Sequence, residues 1–228
     1  MNSMYDILLE LPLFKGISRE TLSELVTTIP LHFLKYEKNE TLVNAGDPCD
    51  HIKFIIGGSV RSSITNNDKK FTVSQTLTAP DVIAPDYLFG RSTHYPCTVI
   101  ANDSAAILQI DKKEYLRILN TDKVFLLNFL NILSMNAQKG VDGILALTSG
   151  TLDERLAYWI LALTQKSGTD ITLTCKTRDL YLLFGVQRSS FMATLDSMKE
   201  RGYIDYGPGI MYIKNRQDLY SILHSNVD

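Results

Sequence analysis

The stretch from Asp122 to Leu147 constrains this chain more than any other part of it. It reads as one long helix, and it carries two apolar stripes. Val124, Leu127, Leu130, Leu133 (or Ser134), Ala137, Val141 and Ile144 recur at three- and four-residue steps. Phe125, Phe129, Ile132 and Met135 add a second row. One stripe can pack on the helix's own domain. The other needs a partner, and a twin helix from a second copy is the simple candidate. A helix buried inside one chain is the alternative.

The chain changes character on either side of this helix. From Met4 to Thr28 it looks helical, with Ser18 placed to cap a helix whose apolar face holds Leu22, Leu25 and Val26. From Leu31 to Ile110 it is strand-like. The expected strands are Leu31–Tyr36, His51–Ile56, Ser59–Thr65, Thr72–Leu77, Thr98–Ala101 and Ala105–Ile110. Turn clusters separate them at Asn44–Pro48, Gly57-Gly58, Asn66–Asp68 and Asn102–Ser104. Short strands at such spacing imply a β jelly roll. A short helix follows from Lys112 to about Asn120.

After Thr148-Ser149-Gly150 comes a helix from Leu152 to Lys166, started by Thr151 or Asp153, with Leu156, Trp159, Ile160 and Leu163 on one face. Gly168-Thr169-Asp170 reads as a turn. The expected fold is therefore α+β: a jelly-roll domain over 1–120, a dimerisation helix over 121–148 and a second domain over 149–228, with a boundary near Ser149. A length of 228 residues suits two modest domains.

The segment from Lys176 to Arg201 carries the chemistry. Leu180, Leu183 and Phe184 face inward on a short helix. Gly185 follows, the residue best suited to the left-handed turn between two helices, and Val186 can fill the angle. A second helix from Gln187 to Arg201 turns Phe191, Leu195 and Met198 inward. Its outward start carries Gln187, Arg188, Ser189 and Ser190. Arginine can donate two hydrogen bonds to guanine, glutamine can pair with adenine, and serine reaches bases or phosphates in the major groove. Lys176, Thr177 and Arg178 open the preceding helix, where side chains and free N–H groups can hold phosphate. Between Cys175 and Phe191 three cations, Lys176, Arg178 and Arg188, stand against one acid, Asp179. Two runs, Tyr203–Tyr206 and Ile210–Ile213, alternate around Gly207-Pro208-Gly209, which makes a hairpin wing.

Charge and cysteines exclude other classes. A net charge of −2 gives no whole-molecule signal for nucleic acid, so the local balance matters more. Cys49, Cys97 and Cys175 are too scattered for a disulfide framework, a paired zinc site or a four-thiolate cluster. No metal and no cofactor is expected. No apolar run reaches the roughly 20 residues of a membrane span, and Met1–Glu10 does not read as a signal peptide. The expected compartment is the cytoplasm.

The order of β-domain, long helix and winged helix-turn-helix resembles the bacterial Crp/Fnr transcription regulators over nearly the whole chain. Glu40–Asp47 with Ile52–Val60 resembles the family's first β-turn and strand block, and Gly185–Arg188 its turn and the start of its recognition helix. The resemblance implies that Arg188 is the main base-reading arginine and Ser189 its neighbour. It places Lys176, Thr177 and Gln187 at phosphate contacts. A third base-reading position, basic in the cAMP-dependent members, is Ala193 here, which implies a different operator. Tyr181 stands where the first helix usually carries a small residue.

The resemblance also bears on the effector. Cyclic-nucleotide binders carry Gly-Glu for ribose and Arg-Ser for phosphate; the matching pairs here are Ala84-Pro85 and Tyr95-Pro96. Proline has no N–H and tyrosine no positive charge, so an anionic cyclic phosphate loses its counter-charge. The expected protein does not respond to cAMP or cGMP. His32, His51, His94 and His224 show no ligand spacing for haem or metal. Ala84, Pro85, Tyr87, Tyr95, Pro96 and Cys97 either line an adapted pocket for an unknown small-molecule effector or fill the old cavity. The expected partners are double-stranded DNA at a near-palindromic operator, a second copy through Asp122–Leu147, and RNA polymerase. Two rivals, a cupin-like catalytic barrel and a module acting on a protein partner without DNA, fit the clustered-histidine test and the Gln187–Ser190 surface less well.

Overall fold

A computed structural model describes residues 4–145, 147–148 and 150–224. The expected boundary at Ser149 lies outside the described residues. The chain forms two compact units: residues 1–62 with 77–136, and residues 63–76 with 137–228.

The first unit opens with α1 (Met4–Glu10), a 3-10 turn (Pro12–Phe14) and α2 (Arg19–Thr28). Ser18 caps α2 as expected, its hydroxyl accepting from the Thr21 N–H at 3.1 Å. The strands are β1 (His32–Tyr36), β2 (Thr41–Val43), β3 (His51–Gly57), β4 (Ser59–Thr65), β5 (Thr72–Thr78), β6 (Asp81–Ile83), β7 (Thr98–Ala101) and β8 (Ala105–Asp111). β1, β8, β3 and β6 pair in that order, and β4, β7 and β2 pair in the facing sheet. β2 and β6 are only three residues long, too short for alternation to announce them. α3 (Lys112–Thr121) follows, with Asp111 capping it through the Lys113 N–H.

α4 (Lys123–Leu145) is the long helix. Its Phe125 and Phe129 are buried in an aromatic cluster with Phe14, Phe54 and Tyr115. Phe14 meets Phe125 edge-on at 5.2 Å, and Tyr115 meets Phe129 at 5.6 Å. Asn128 ties the same face to the N-terminal turn, donating to the carbonyls of Leu13 and Lys15. Of the other stripe, Leu127, Leu130, Ala137, Val141 and Ile144 are exposed, while Val124 and Leu133 are half-buried against the first unit's core. Met135, placed on the same row as Phe125 and Phe129, is exposed, because the buried i, i+4 face of Phe125 and Phe129 does not reach it. Residues 123–136 of α4 belong to the first unit and 137–145 to the second, so the helix is shared rather than a separate middle body.

The second unit holds α5 (Leu152–Leu163), β9 (Thr169–Thr174), α6 (Thr177–Leu183), α7 (Arg188–Glu200), β10 (Asp205–Gly207), β11 (Ile210–Asn215) and α8 (Arg216–His224). Its core gathers Leu156, Ile160, Leu173, Leu180, Phe191, Leu195 and Met198. Two residues expected inside, Leu163 and Leu183, are exposed. In α6, Leu180 and Phe184 already form the i, i+4 row, and Leu183 lies to one side of it. The turn expected at Gly168–Asp170 lies earlier, closed by the Gly168 N–H on the Gln165 carbonyl at 3.0 Å. Thr169 and Asp170 instead open β9, because β9 finds partners on both edges: β11, and β5 from the hairpin tip.

That tip, residues 63–76, is an insertion into the first unit's sequence that folds with the second. Asn66 shapes its turn, its side-chain oxygen accepting the Lys70 and Phe71 N–H groups. Val73 lies opposite Leu173 and Ser74 opposite Thr172. Phe71 meets Trp159 edge-on at 6.1 Å. Buried Gln75 accepts the Gln165 N–H at 2.8 Å.

Two substitutions test this packing. A Cβ on Gly168 would sit 2.2 Å from the Gln75 Oε1 atom. Gly168→Ala is therefore expected to displace that hydrogen bond and destabilise the protein by about 1–3 kcal/mol in urea denaturation. The Tyr115 hydroxyl is buried with no hydrogen-bond partner among the described residues, and burial pushes its ionisation upward. Tyr115→Phe is expected to leave stability unchanged or raise it by up to about 1 kcal/mol, because no bond is lost and a desolvated hydroxyl is removed.

Candidate nucleic-acid interface

The candidate interface is built on α6, the turn and α7. Lys176 stands at the N-cap of α6 in extended conformation; Lys176 and Arg178 are exposed, and Thr177 is half-buried. Phe184 ends the helix, and its N–H reaches back to the Leu180 carbonyl at 3.0 Å. Gly185 takes the left-handed conformation the turn requires, at φ +66°. Val186 donates back to the Tyr181 carbonyl and packs partly into the core. Gln187 is the N-cap of α7 and makes no side-chain cap. The first-turn N–H groups of α7 therefore receive no oxygen from it and can meet an anion.

Gln187, Arg188, Ser189 and Ser190 are all exposed, while Phe191, Leu195 and Met198 are buried beneath them. Phe191 stacks on Phe184 with ring centroids 6.1 Å apart, so the tip rests on an aromatic pair. The wing is tied to the far half of α7: the Tyr206 hydroxyl donates to Asp196, and Lys199 pairs with Asp205 at 2.6 Å. These ties are exposed and add little stability individually. Behind the wing, the Cys175 N–H donates to the Gly209 carbonyl at 3.0 Å. Burial pushes the Cys175 thiol up to about 12, with Asp179 adding to the shift, so it remains a thiol.

Sequence reasoning missed two contributors on the first turn of α5. Asp153 was expected only as a cap. It does accept the Glu154 N–H and the Thr151 hydroxyl, while the Thr151 N–H donates to Glu154. Its other oxygen accepts Arg201, beyond the end of α7, at 2.7 Å. Arg155 donates to the Phe184 carbonyl at 2.7 Å, and its guanidinium lies 5.5 Å from the centre of the Phe184 ring. Nothing in the linear text marks either contact, since their partners stand 48 and 29 residues away.

The six positions flagged for an effector lie in the first unit. Ala84, Pro85, Tyr95 and Cys97 are buried; Tyr87 and Pro96 are half-buried. Ala84 takes a left-handed conformation ahead of a 3-10 turn at Pro85–Tyr87. The Tyr95 hydroxyl donates to the His51 carbonyl at 2.9 Å. Burial raises the Cys97 thiol against a hydrogen bond with Ser62, and it raises Cys49 likewise. Lys53 is buried on β3, bonded to Gln109 of β8 directly opposite, and burial lowers its ammonium. An open apolar groove of about 420 Å³ lies elsewhere, lined by Phe33, Leu34, Ile56 and Gly58 among others. Among the described residues no group of histidines, cysteines and acids could hold a metal ion, and no helix is long and apolar enough to cross a membrane.

An exposed arginine–serine helix tip beside a wing, following a β-roll and a long helix, defines a winged helix-turn-helix protein with an appended sensory-type domain. Residues 33–122 match the model of the cyclic nucleotide-binding domain, and residues 154–222 match the Crp-like helix-turn-helix domain. With both domains in this order, the chain belongs to the Crp/Fnr family of DNA-binding transcription regulators. Solved structures agree in fold. The catabolite activator protein of Thermus thermophilus is 17% identical, with 92% of this chain and 97% of that one covered and a TM-score of 0.52. A CooA variant from Carboxydothermus hydrogenoformans is 21% identical, with 94% of each chain covered and a TM-score of 0.50. The sensor domain of the regulator DNR from Pseudomonas aeruginosa is 20% identical, over 64% of this chain and 93% of that one, with a TM-score of 0.51. Potassium channel GORK of Arabidopsis thaliana is 29% identical over 110 residues, which are 48% of this chain and 13% of the channel. The chain thus spans a small part of that relative's length.

Asp153 gives a pH prediction for this region. Burial pushes its carboxyl up, but hydrogen bonds from Thr151 and Arg201 outweigh that and leave it below its ordinary value of 3.8. A carboxyl lowered on folding stabilises the protein above its unfolded value and loses that contribution as pH falls through the folded one. The acid limb of the stability curve below about pH 4 is expected to flatten in Asp153→Asn, measured by circular dichroism melts across pH.

Proposed function

We propose that this Crp/Fnr regulator works as a cytoplasmic homodimer that places two copies of α7 in successive major grooves of a near-palindromic operator. The observation that carries this reading is the α7 tip: four polar side chains, Gln187 to Ser190, all exposed over a fully buried apolar face. Arg188 takes the base-reading role, most naturally on guanine, with Gln187, Ser189 and Ser190 beside it. Lys176, Thr177 and Arg178 hold phosphate and fix the register. The uncovered stripe of α4 supplies the twofold contact. An apolar row of that length is costly to leave in water, and a self-complementary helix pair removes it.

The regulator then works as a two-state device. An effector or a partner biases the angle between paired α4 helices, which sets whether the two tips lie one DNA turn, about 34 Å, apart. Cyclic nucleotides are poor candidates. Ala84-Pro85 and Tyr95-Pro96 offer an anionic phosphate no counter-charge, and Tyr95 is turned inward onto His51. An effector taken near Pro85, Tyr87, Tyr95, Pro96 and Cys97 is a small molecule of largely apolar or aromatic character. RNA polymerase is helped or hindered beside the operator, and the protein performs no catalysis of its own.

The test begins with wild-type protein selecting duplexes from a random pool. Enrichment of an inverted repeat supports the reading, and recovery of no preferred sequence overturns it. On the enriched duplex, Arg188→Ala is expected to weaken binding by about 1–3 kcal/mol per subunit. Unchanged affinity in a gel-shift titration removes Arg188 from the base-reading role. Leu130→Glu combined with Ile144→Glu is expected to yield monomers in analytical ultracentrifugation with operator binding lost; a dimer of unchanged stability would rule out this face of α4.

A further inference from the structure

Among the described residues, Arg155 holds the α6–α7 turn without an ion pair, unlike the two cations near the far end of α7. Lys199 pairs with Asp205 and Arg201 with Asp153. Arg155 has no ion pair among the described residues, and its Nε atom is buried without a hydrogen-bond partner. A half-buried guanidinium with an orphan donor is costly, so the two contacts it does make carry information. Its terminal nitrogen donates to the Phe184 carbonyl at 2.7 Å, and its plane lies over the Phe184 ring. That carbonyl belongs to the C-cap of α6, at the negative end of the helix dipole, one residue before the left-handed Gly185. The Phe184 ring in turn stacks on Phe191, one turn into α7 and three residues from Arg188. Arg155 therefore grips the turn from which the base-reading tip departs, and Asp153, two residues earlier, grips Arg201 beyond the opposite end of α7.

We infer that Arg155 is a positioning residue for DNA reading: through Phe184 it fixes the angle at which Arg188 enters the groove, and with Asp153 it makes the first turn of α5 the handle by which the recognition helix is moved. Resting on the base-reading role proposed above for Arg188, this inference assigns the control of that role to residues outside the helix-turn-helix. The handle sits just after the segment that leaves α4. A rotation of α5 is thus delivered to both ends of α7 together. Phosphate contacts from Lys176 and Arg178 do not run through it, so sequence discrimination and plain affinity for DNA separate at this residue.

The experiment uses full-length protein and the duplex that wild-type protein enriches from a random pool, with a scrambled duplex of equal length for comparison. Failure of wild-type protein to enrich any sequence would count against the Arg188 reading itself and is seen before any Arg155 variant is made. Arg155→Met is expected to lose at least tenfold of the preference for the enriched over the scrambled duplex, with scrambled-duplex binding within twofold of wild type. Arg155→Lys, which restores a cation on the carbonyl, is expected to recover to within threefold. In an Arg188→Ala background Arg155→Met is expected to change the preference by less than twofold, because its action runs through Arg188. A role in general stability would instead lower binding to both duplexes alike and act equally in that background. Either that pattern or a preference kept within twofold in Arg155→Met overturns the inference. Should Arg155→Met melt below the assay temperature, Arg155→Gln takes its place. It keeps one donor on the carbonyl without the charge, and a three- to tenfold loss is expected; a loss under twofold overturns the inference.

Discussion

The one-sided burial of α4 is the constraint on which the rest depends. Phe125 and Phe129 close the floor of the β-domain against Phe14, Phe54 and Tyr115. Each buried phenylalanine is worth about 1.5–3 kcal/mol, enough to hold the helix in one rotation about its axis. Once that rotation is set, Leu127, Leu130, Val141 and Ile144 have no choice but to face outward. The twofold contact proposed above uses this surface, and the aromatic floor is what presents it.

The second unit shows how little of a winged helix-turn-helix is built from α6 and α7 alone. Its sheet is completed by a strand from residues 72–76, far away in sequence. The side chain of Gln75 reaches a backbone N–H at the end of α5, and Phe71 covers Trp159. The turn between α6 and α7 is held from behind by Arg155, and the end of α7 by Asp153. Among the described residues the side chains of the exposed tip make no such ties, which leaves them available to a ligand.

The β-domain matches the cyclic nucleotide-binding domain over residues 33–122. Tyr95 spends its hydroxyl on a backbone carbonyl. Cys49 and Cys97 are buried thiols with raised ionisation. Lys53, bonded to neutral Gln109, and Asp81, which accepts the Val82 N–H, are buried charged side chains of this unit. The two readings of the Ala84–Cys97 region differ in whether a guest replaces some of the packing there.

Periodicity and turn chemistry made most of the elements legible in the linear text. The long helix, six of the strands, the Gly185 turn, the α7 inner face and the wing all follow from local rules, because each depends on neighbours within a few residues. Local rules failed where the deciding partner is remote. Thr169 and Asp170 resemble a turn until two other strands claim β9; Leu183 looks internal until Leu180 and Phe184 take the buried row. What the sequence determined by itself was the kind of protein and the polar tip it offers. Only the tertiary structure decided which stripe of α4 is covered, where the hairpin tip belongs and what grips the α6–α7 turn. The physical reason is range: helix and turn signals act over one or two turns of chain, whereas Phe125 on Phe14 and Arg155 on Phe184 exist only once distant segments have met.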